Sequence, residues 1–152
     1  MSNQTAPRRF ATFTVSGMYF GIDVLNVQEV LRRETMTRIP LAPDVIAGLI
    51  NLRGEIVPAI DMRRRLGLPV PDESANPMNV VARTQDGPVS LLVDEIGDVL
   101  DLDAAAFEPA PENLNPHARE LIRGIFQLKD RLMLVLDTDK AAGIAVEATR
   151  AR

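Results

Sequence analysis

Gly48-Leu-Ile-Asn-Leu-Arg-Gly-Glu-Ile-Val-Pro-Ala-Ile-Asp61 returns later in the chain as Gly124-Ile-Phe-Gln-Leu-Lys-Asp-Arg-Leu-Met-Leu-Val-Leu-Asp137, without a gap. The offset of 76 positions, Gly48 to Gly124, still holds at Gly67 and Gly143. Few residues are identical, but most match in kind: Asn with Gln, Arg with Lys, Ile with Leu. A shorter echo pairs Phe20-Gly-Ile-Asp23 with Leu91-Leu-Val-Asp94. An offset this long exceeds the periods of solenoids, so the chain reads as two copies of one small unit. Each copy of the long stretch is a run of β-formers with a turn near its middle, Arg53-Gly54 in the first and Lys129-Asp130 in the second. Each therefore predicts a β-hairpin.

Two further hairpins follow from the same signals. Phe10 to Val15 and Met18 to Ile22 flank Ser16-Gly17, and Asn79 to Arg83 and Val89 to Val93 flank Gln85 to Pro88. The duplication also decides an ambiguous stretch. Asp23 to Leu31 alone suits an amphipathic helix capped by Asp23. Its counterpart, Asp94 to Leu102, carries Gly97 in mid-segment and alternates apolar with acidic residues, which suits a strand. The first copy is therefore read as strand, tight turn at Asp23 to Asn26, and strand. Short helices are expected at Asp61 to Gly67 and at its repeat, Thr138 to Ala142, each capped by Asp and stopped by Gly. Pro40, Pro43, Pro109, Pro111 and Pro116 mark irregular connectors, and Pro69 to Pro77 separates the copies.

Composition agrees and excludes. Apolar residues form 46% of the 152 and aromatics 4%, with no Trp, so the core must be aliphatic. With no Cys, disulfides, thiolate metal sites and cysteine nucleophiles are ruled out, and with a single His, His117, so is an imidazole cluster. A net charge of −4 argues against general attraction to nucleic acid. No apolar run approaches the roughly twenty residues of a membrane helix, and no signal peptide opens the sequence, so a cytoplasmic protein is expected.

No catalytic constellation is legible. No Ser stands in a nucleophile elbow, and no Gly-rich phosphate loop is present. His117, between Pro116 and Ala118, reads as a loop histidine. Asp94, Glu95, Asp98, Asp101 and Asp103 follow strand spacing and miss the calcium-loop pattern, so they read as a solvated strand face. Arg63-Arg-Arg65 reads first as the wet face of a short helix and second, with Arg32-Arg33 elsewhere, as a contact for anionic lipid or an acidic partner. Asn51-Leu-Arg-Gly54 stands apart: a turn accounts for Gly54 by its tolerance of positive φ, but not for Arg53.

These stretches together resemble the CheW family of chemotaxis coupling proteins. Met18 to Val30 is similar to the family's Y-G-I…V-Q-E-I segment. Thr37 to Pro43 is similar to T-R-I-P-x-A-P, and Gly48 to Arg63 to G-V-I-N-L-R-G-x-I-V-P-I-x-D-L-R. Leu92 to Leu100 and Pro109 to Pro111 fit its second half, so the likeness runs from about Phe10 to Ala142. The chain departs from that pattern at Met62, in the basic Arg63 to Arg65, and at Ile125-Phe126. The resemblance implies an all-β fold of two SH3-like, five-stranded antiparallel β-barrels with a few short helices. The expected domain is 10–144, split at about 10–70 and 77–144 with allowance for a strand crossing between them, and with tails at 1–9 and 145–152. It implies no catalysis, cofactor or metal. The expected role is a scaffold joining the regulatory domain of a CheA-type histidine kinase to the cytoplasmic hairpin tip of a chemoreceptor, with other CheW-like domains as further partners in rings. Glu29 and Arg53 match the family's sensitive charged pair; Val27 and Gly54 lie beside them, and Ile96 and Val99 fall near the groove between barrels. For Val27, Ile96 and Val99 a place in the core is an equal alternative. An adaptor for a related pathway controlling pili or development is the second reading, and a small β-barrel enzyme a distant third.

Overall fold

The structure, a computed structural model, describes residues 7–32, 34–69 and 77–143. Ten strands form in chain order: β1 Pro7–Val15, β2 Met18–Asp23, β3 Val27–Leu31, β4 Ile46–Leu52, β5 Glu55–Asp61, β6 Met78–Thr84, β7 Gly87–Val93, β8 Glu95–Asp103, β9 Ile122–Gln127 and β10 Leu132–Leu136. Helix α1, Met62–Arg65, follows β5, and α2, Pro116–Leu121, precedes β9. All four expected hairpins are present. The stretch after Asp23 is a single 3-10 turn, Val24–Asn26, leading into a strand, and Asp94 to Leu102 lies almost wholly in β8.

The strands make two five-stranded sheets, ordered β8-β1-β2-β10-β9 and β3-β6-β7-β5-β4. The two orders are the same order. Replacing each strand by its repeat partner (β1 by β6, β2 by β7, β8 by β3, β10 by β5, β9 by β4) turns one into the other. Yet neither sheet is built from one copy. The first hairpin of each copy sits in the sheet completed by the other copy's last three strands. The strand crossing allowed for in the sequence is thus a reciprocal exchange of hairpins, and divisions at 10–70 and 77–144 do not follow the sheets.

Two other expectations are corrected. The ladders are antiparallel except where each exchanged hairpin docks, β2 on β10 and β7 on β5, which pair in parallel. Each sheet also has two edge strands not paired with one another, so the SH3-like barrels are open.

The long repeat is reproduced pair for pair. Ile46↔Ile60 and Gly48↔Ala59, separated by a bulge, recur as Ile122↔Leu136 and Gly124↔Val135 with a bulge in the same place. The shared glycines have a common cause. Thr37 crosses β4 and exchanges 2.8 Å backbone hydrogen bonds with Leu49, and Glu108 does the same with Ile125 at 2.8–2.9 Å. A Cβ on Gly48 would stand 2.7 Å from the Thr37 carbonyl oxygen, and one on Gly124 2.5 Å from that of Glu108. The shared Asp caps a helix in both copies: Asp61 accepts from the Arg64 amide and Asp137 from that of Lys140.

Both faces of several strands are covered. One large cluster lies between the sheets, joining Phe13, Phe20 and Ile22 to Leu91, Ile60, Met62, Leu121 and Leu134. Each curled sheet then encloses a smaller cluster. Ile50, Leu52, Val57 and Val81 fill the second, and Phe10, Tyr19, Phe126, Met133 and Val135 fill the first. Burial on both faces removes strict polar alternation, which is why β6 and β7 read as nearly continuous apolar runs.

The first strand starts at Pro7, so the expected tail through Arg9 is too long; Pro7 to Arg9 pair with Asp103 to Asp101 of β8. The second helix was not expected. Asn115 caps it, accepting from the His117 and Ala118 amides, and Pro116 occupies its first turn, where proline costs nothing. His117 is therefore a helical residue, its ring beside Gly67. Residues 138–143 are helical as expected; Arg33, the linker at 70–76 and the C-terminal segment from 144 lie outside the described residues.

Candidate functional site

The turn between β4 and β5 decides where Arg53 points. Arg53 and Gly54 both have positive φ, 54° and 89°, the geometry of a type I′ hairpin turn. The Asn51 side chain braces it, its Oδ1 accepting from the Gly54 amide at 2.8 Å. Gly54 meets nothing within 4 Å of where a Cβ would stand, so backbone conformation alone explains it. Arg53 is left as a non-glycine residue in left-handed conformation at an exposed tip.

Curling of the second sheet brings that tip to its opposite edge strand. Arg53 Nη1 donates to Glu29 Oε2 at 2.7 Å and Nη2 to Oε1 at 2.6 Å, a two-pronged ion pair across the mouth of the open barrel. Glu29 on β3 is aimed there by a bulge: Val27 pairs with Ala82 but Glu29 with Val81, so Gln28 is an extra residue. The Arg53 side chain is 70% exposed and that of Glu29 21%, so the guanidinium lies outermost over a half-sheltered carboxylate. The hydrogen bond from Arg53 holds the Glu29 carboxyl below its ordinary value, against a smaller opposing effect of desolvation. Reciprocally, Glu29 raises Arg53. The pair is charged throughout the physiological range.

The six candidate residues fall on two surfaces. Glu29, Arg53 and Gly54 share the end of the second sheet. Val27, on the same strand, is half-buried and packs against the core between the sheets, so the bulge turns it away from Glu29's side. Ile96 and Val99 lie on β8, the edge strand of the first sheet, and are 39% and 56% exposed. Of the three apolar candidates, then, Val27 packs on the core and the other two face outward. Sequence reasoning missed further exposed apolar residues: Leu25 in the 3-10 turn, Val30 on β3, Leu41 and Ile56. The available signal was for Ile56, which follows a hairpin turn by two residues.

The arginine run is not simply a wet face. Arg63 makes a two-pronged pair with Asp94, Arg64 lies 3.6 Å from both Asp44 and Asp61, and Arg65 donates to the Lys140 and Ala141 carbonyls. The acidic series lies just before and along the exposed face of β8, and three of its five members have partners. Asp94 is held by Arg63, Asp101 pairs with Arg9 at 2.8 Å and raises its pKa, and Asp103 caps a 3-10 turn. Among the described residues no three His, Cys, Asp or Glu side chains group to hold a metal ion. Ser90 is a buried partner of Asn79, 3.0 Å away, and Asn79 in turn donates to the Arg32 carbonyl.

Comparison with known proteins gives one consistent likeness. The family model described as a CheW-like domain matches residues 9–144. The chain is 35% identical over 140 residues to a chemotaxis protein CheW of Klebsiella aerogenes, covering 92% of this chain and 84% of that one. It is 30% identical over 131 residues to the Bacillus subtilis protein of the same name, covering 86% and 84%. Among solved structures, the scaffolding protein TtCheW from Thermoanaerobacter tengcongensis superposes with a TM-score of 0.78 at 27% identity, covering 86% of this chain and 89% of that one.

Proposed function

The chain belongs to the CheW-like family of chemotaxis coupling proteins, and from that premise we propose that it is a non-catalytic adaptor joining chemoreceptors to a CheA-type histidine kinase. The observation that carries this reading is the Glu29–Arg53 pair. A rigid, exposed, charge-paired tip on an open barrel end is of little use to catalysis, but it supplies a surface of fixed shape for another protein. The kinase regulatory domain meets the second sheet around Glu29, Arg53 and Gly54, with Val27 supporting the strand from behind. The receptor's cytoplasmic hairpin tip meets Ile96 and Val99 on β8. Other CheW-like domains extend these contacts into rings. Among the described residues no helix is long and apolar enough to cross a membrane; the reading places the protein in the cytoplasm, recruited to receptor arrays by its partners.

The test is reconstitution. Purified protein is titrated calorimetrically with the regulatory domain of a CheA-type kinase, then added to kinase and receptor in membranes while autophosphorylation is followed. Binding near the micromolar range, about −8 kcal/mol, is expected. It should persist in moderate salt, because apolar contacts carry more of it than charge. Receptor control of the kinase should require the added protein. Kinase activity equally receptor-controlled without it would overturn the reading.

A further inference from the structure

The chain passes from one sheet to the other at two places among the described residues, and each is marked by the same repeated residue. Between β2 and β3 it crosses at Asp23, and between β7 and β8 at Asp94. These are the aspartates that close the short echo in the sequence. Each is gripped by an arginine from another element: Arg8 of β1 on Asp23, and Arg63 of α1 on Asp94.

The two grips differ in reach. At Asp23 the carboxylate is 17% accessible but its arginine, Arg8, is half exposed. At Asp94 both partners are sheltered, with 22% and 28% of the Arg63 and Asp94 side chains accessible, and the cluster ties more elements together. Arg63 Nε donates to Asp94 Oδ1 at 3.0 Å and Nη2 to Oδ2 at 2.7 Å. Asp94 Oδ2 also accepts from the Ser16 amide at 2.6 Å, at the tip of the exchanged β1–β2 hairpin, while the Asp94 amide donates to the Thr14 carbonyl at 2.9 Å. Arg63 Nη1 reaches the Pro69 carbonyl at 3.1 Å, at the end of the described segment that leaves α1. One guanidinium thus connects the helix following the second sheet's β5, the crossing into β8, and the tip of a hairpin in the first sheet.

We propose that Arg63 and Asp94 are positioning residues that lock the angle between the two sheets, and so set where the Ile96–Val99 strip of β8 stands relative to the Glu29–Arg53 end. Asp94 immediately precedes β8, so any swing about this crossing moves that strand's apolar strip. An apolar core allows small changes in the angle between packed sheets; a bidentate guanidinium–carboxylate pair fixed to a third group does not. The functional half of this proposal rests on the adaptor reading, while the latch itself does not.

The absence of Cys makes the test direct. Spin labels on Glu55→Cys in the second sheet and Gln127→Cys in the first, both exposed positions, report the distance between sheets by pulsed electron resonance. The full chain should give one narrow distribution. Arg63→Ala and the gentler Asp94→Asn, which keeps an oxygen for the Ser16 amide, should broaden or shift it by several ångströms at temperatures well below melting. Arg63→Lys should restore it in part. Arg8→Ala, at the crossing that ties fewer elements together, should change it less. In reconstituted arrays, Arg63→Ala and Asp94→Asn should lower receptor control of the kinase severalfold while leaving affinity for the kinase regulatory domain unchanged. A parent-like distance distribution in folded Arg63→Ala and Asp94→Asn overturns the latch. A broadened distribution with parent-like receptor control overturns the positioning role. Failure of the unmodified chain to couple at all would count against the adaptor reading instead, because the distance measurement needs no partner.

Discussion

Replacing Gly48 by Ala adds one methyl where the fold leaves no room for it. Its Cβ would lie 2.7 Å from the Thr37 carbonyl oxygen and 3.2 Å from both the Thr37 carbonyl carbon and the Met36 Cβ. None of these is the yielding end of a long side chain. The oxygen is held by the Leu49 amide at 2.8 Å, and the Thr37 amide is held by the Leu49 carbonyl at the same distance. Relief therefore requires the crossing segment to lift off β4 and lose or stretch both bonds. Overpacking of this kind costs about 1–3 kcal/mol. Removing a glycine recovers part of that, about 0.4–1 kcal/mol, by restricting the unfolded chain. The net loss is up to about 2.6 kcal/mol. At roughly 2–4 °C per kcal/mol for a chain of this size, the melting midpoint should fall by up to about 10 °C. Gly124→Ala should behave alike, since its Cβ meets the Glu108 carbonyl oxygen and the Phe107 ring. Because the two positions lie in different sheets, the losses should add to within about 0.5 kcal/mol. Thermal unfolding followed by circular dichroism measures all three variants. A Gly48→Ala protein melting at or above the parent would refute the close-approach explanation, and with it the account of why both copies keep glycine here.

Three further predictions concern the charged end and the absence of chemistry. Arg53→Glu and Glu29→Arg should fold with melting midpoints within a few degrees of the parent, yet abolish receptor control of the kinase, and the double swap should recover part of it; normal control in a folded Arg53→Glu protein would sink the site assignment. The Glu29 carboxyl should titrate below its ordinary 4.5. A depressed folded-state pKa contributes stability that is full above the unfolded value and fades as pH falls through the folded one, so the pair should be lost only in that acid range. Carbon-detected NMR of Glu29 checks this, with Arg53→Gln moving the midpoint upward; a midpoint at or above 4.5 in the parent contradicts the pairing. Calorimetric titration with Mg-ATP should give no specific heat, and micromolar binding would reopen the enzyme reading.

The sequence disclosed eight of the ten strands because hairpin signals are local: Ser16-Gly17, Arg53-Gly54, Gln85 to Gly87 and Lys129-Asp130 each punctuate runs of β-formers. It disclosed β3 and β8 only through comparison of the copies, since Asp23 to Leu31 alone has helical spacing. The exchange of hairpins was beyond it. Nothing in β1–β2 distinguishes pairing with its own copy from pairing with the other, because the repeat makes both edges chemically alike. The helix at Pro116 was hidden for a different reason: proline in the first turn looks like a breaker unless Asn115 before it is recognised as a cap. Of the site, Glu29 and Arg53 were legible from the family pattern, and their pairing depends on a bulge at Gln28 that no alternation announces. Arg63 looked like one of three equivalent charges. Only the crossing at Asp94, a product of the exchange, gives it a partner of its own.

That exchange bears on how such an adaptor can work. Were the two barrels built each from its own half of the chain, they would be separate bodies on a linker, free to bind two partners independently. Here each sheet is completed by a hairpin from the other copy, and a shared core containing Phe13, Phe20, Ile60, Leu91 and Leu134 lies between them. Parting the sheets would expose that core and strain both crossings. The first hairpin could leave its sheet only by breaking its ladders with β8 and β10. On the adaptor reading proposed above, two binding surfaces carried on one interleaved body would keep their separation while both are occupied. On that reading, motion in one partner would reach the other either as displacement of the whole adaptor or as rotation about the crossings at Asp23 and Asp94. The first route needs the angle between the sheets held, the role proposed for the Arg63–Asp94 grip; the second needs that angle free. The two are told apart by whether receptor control is lost or survives when that grip alone is cut.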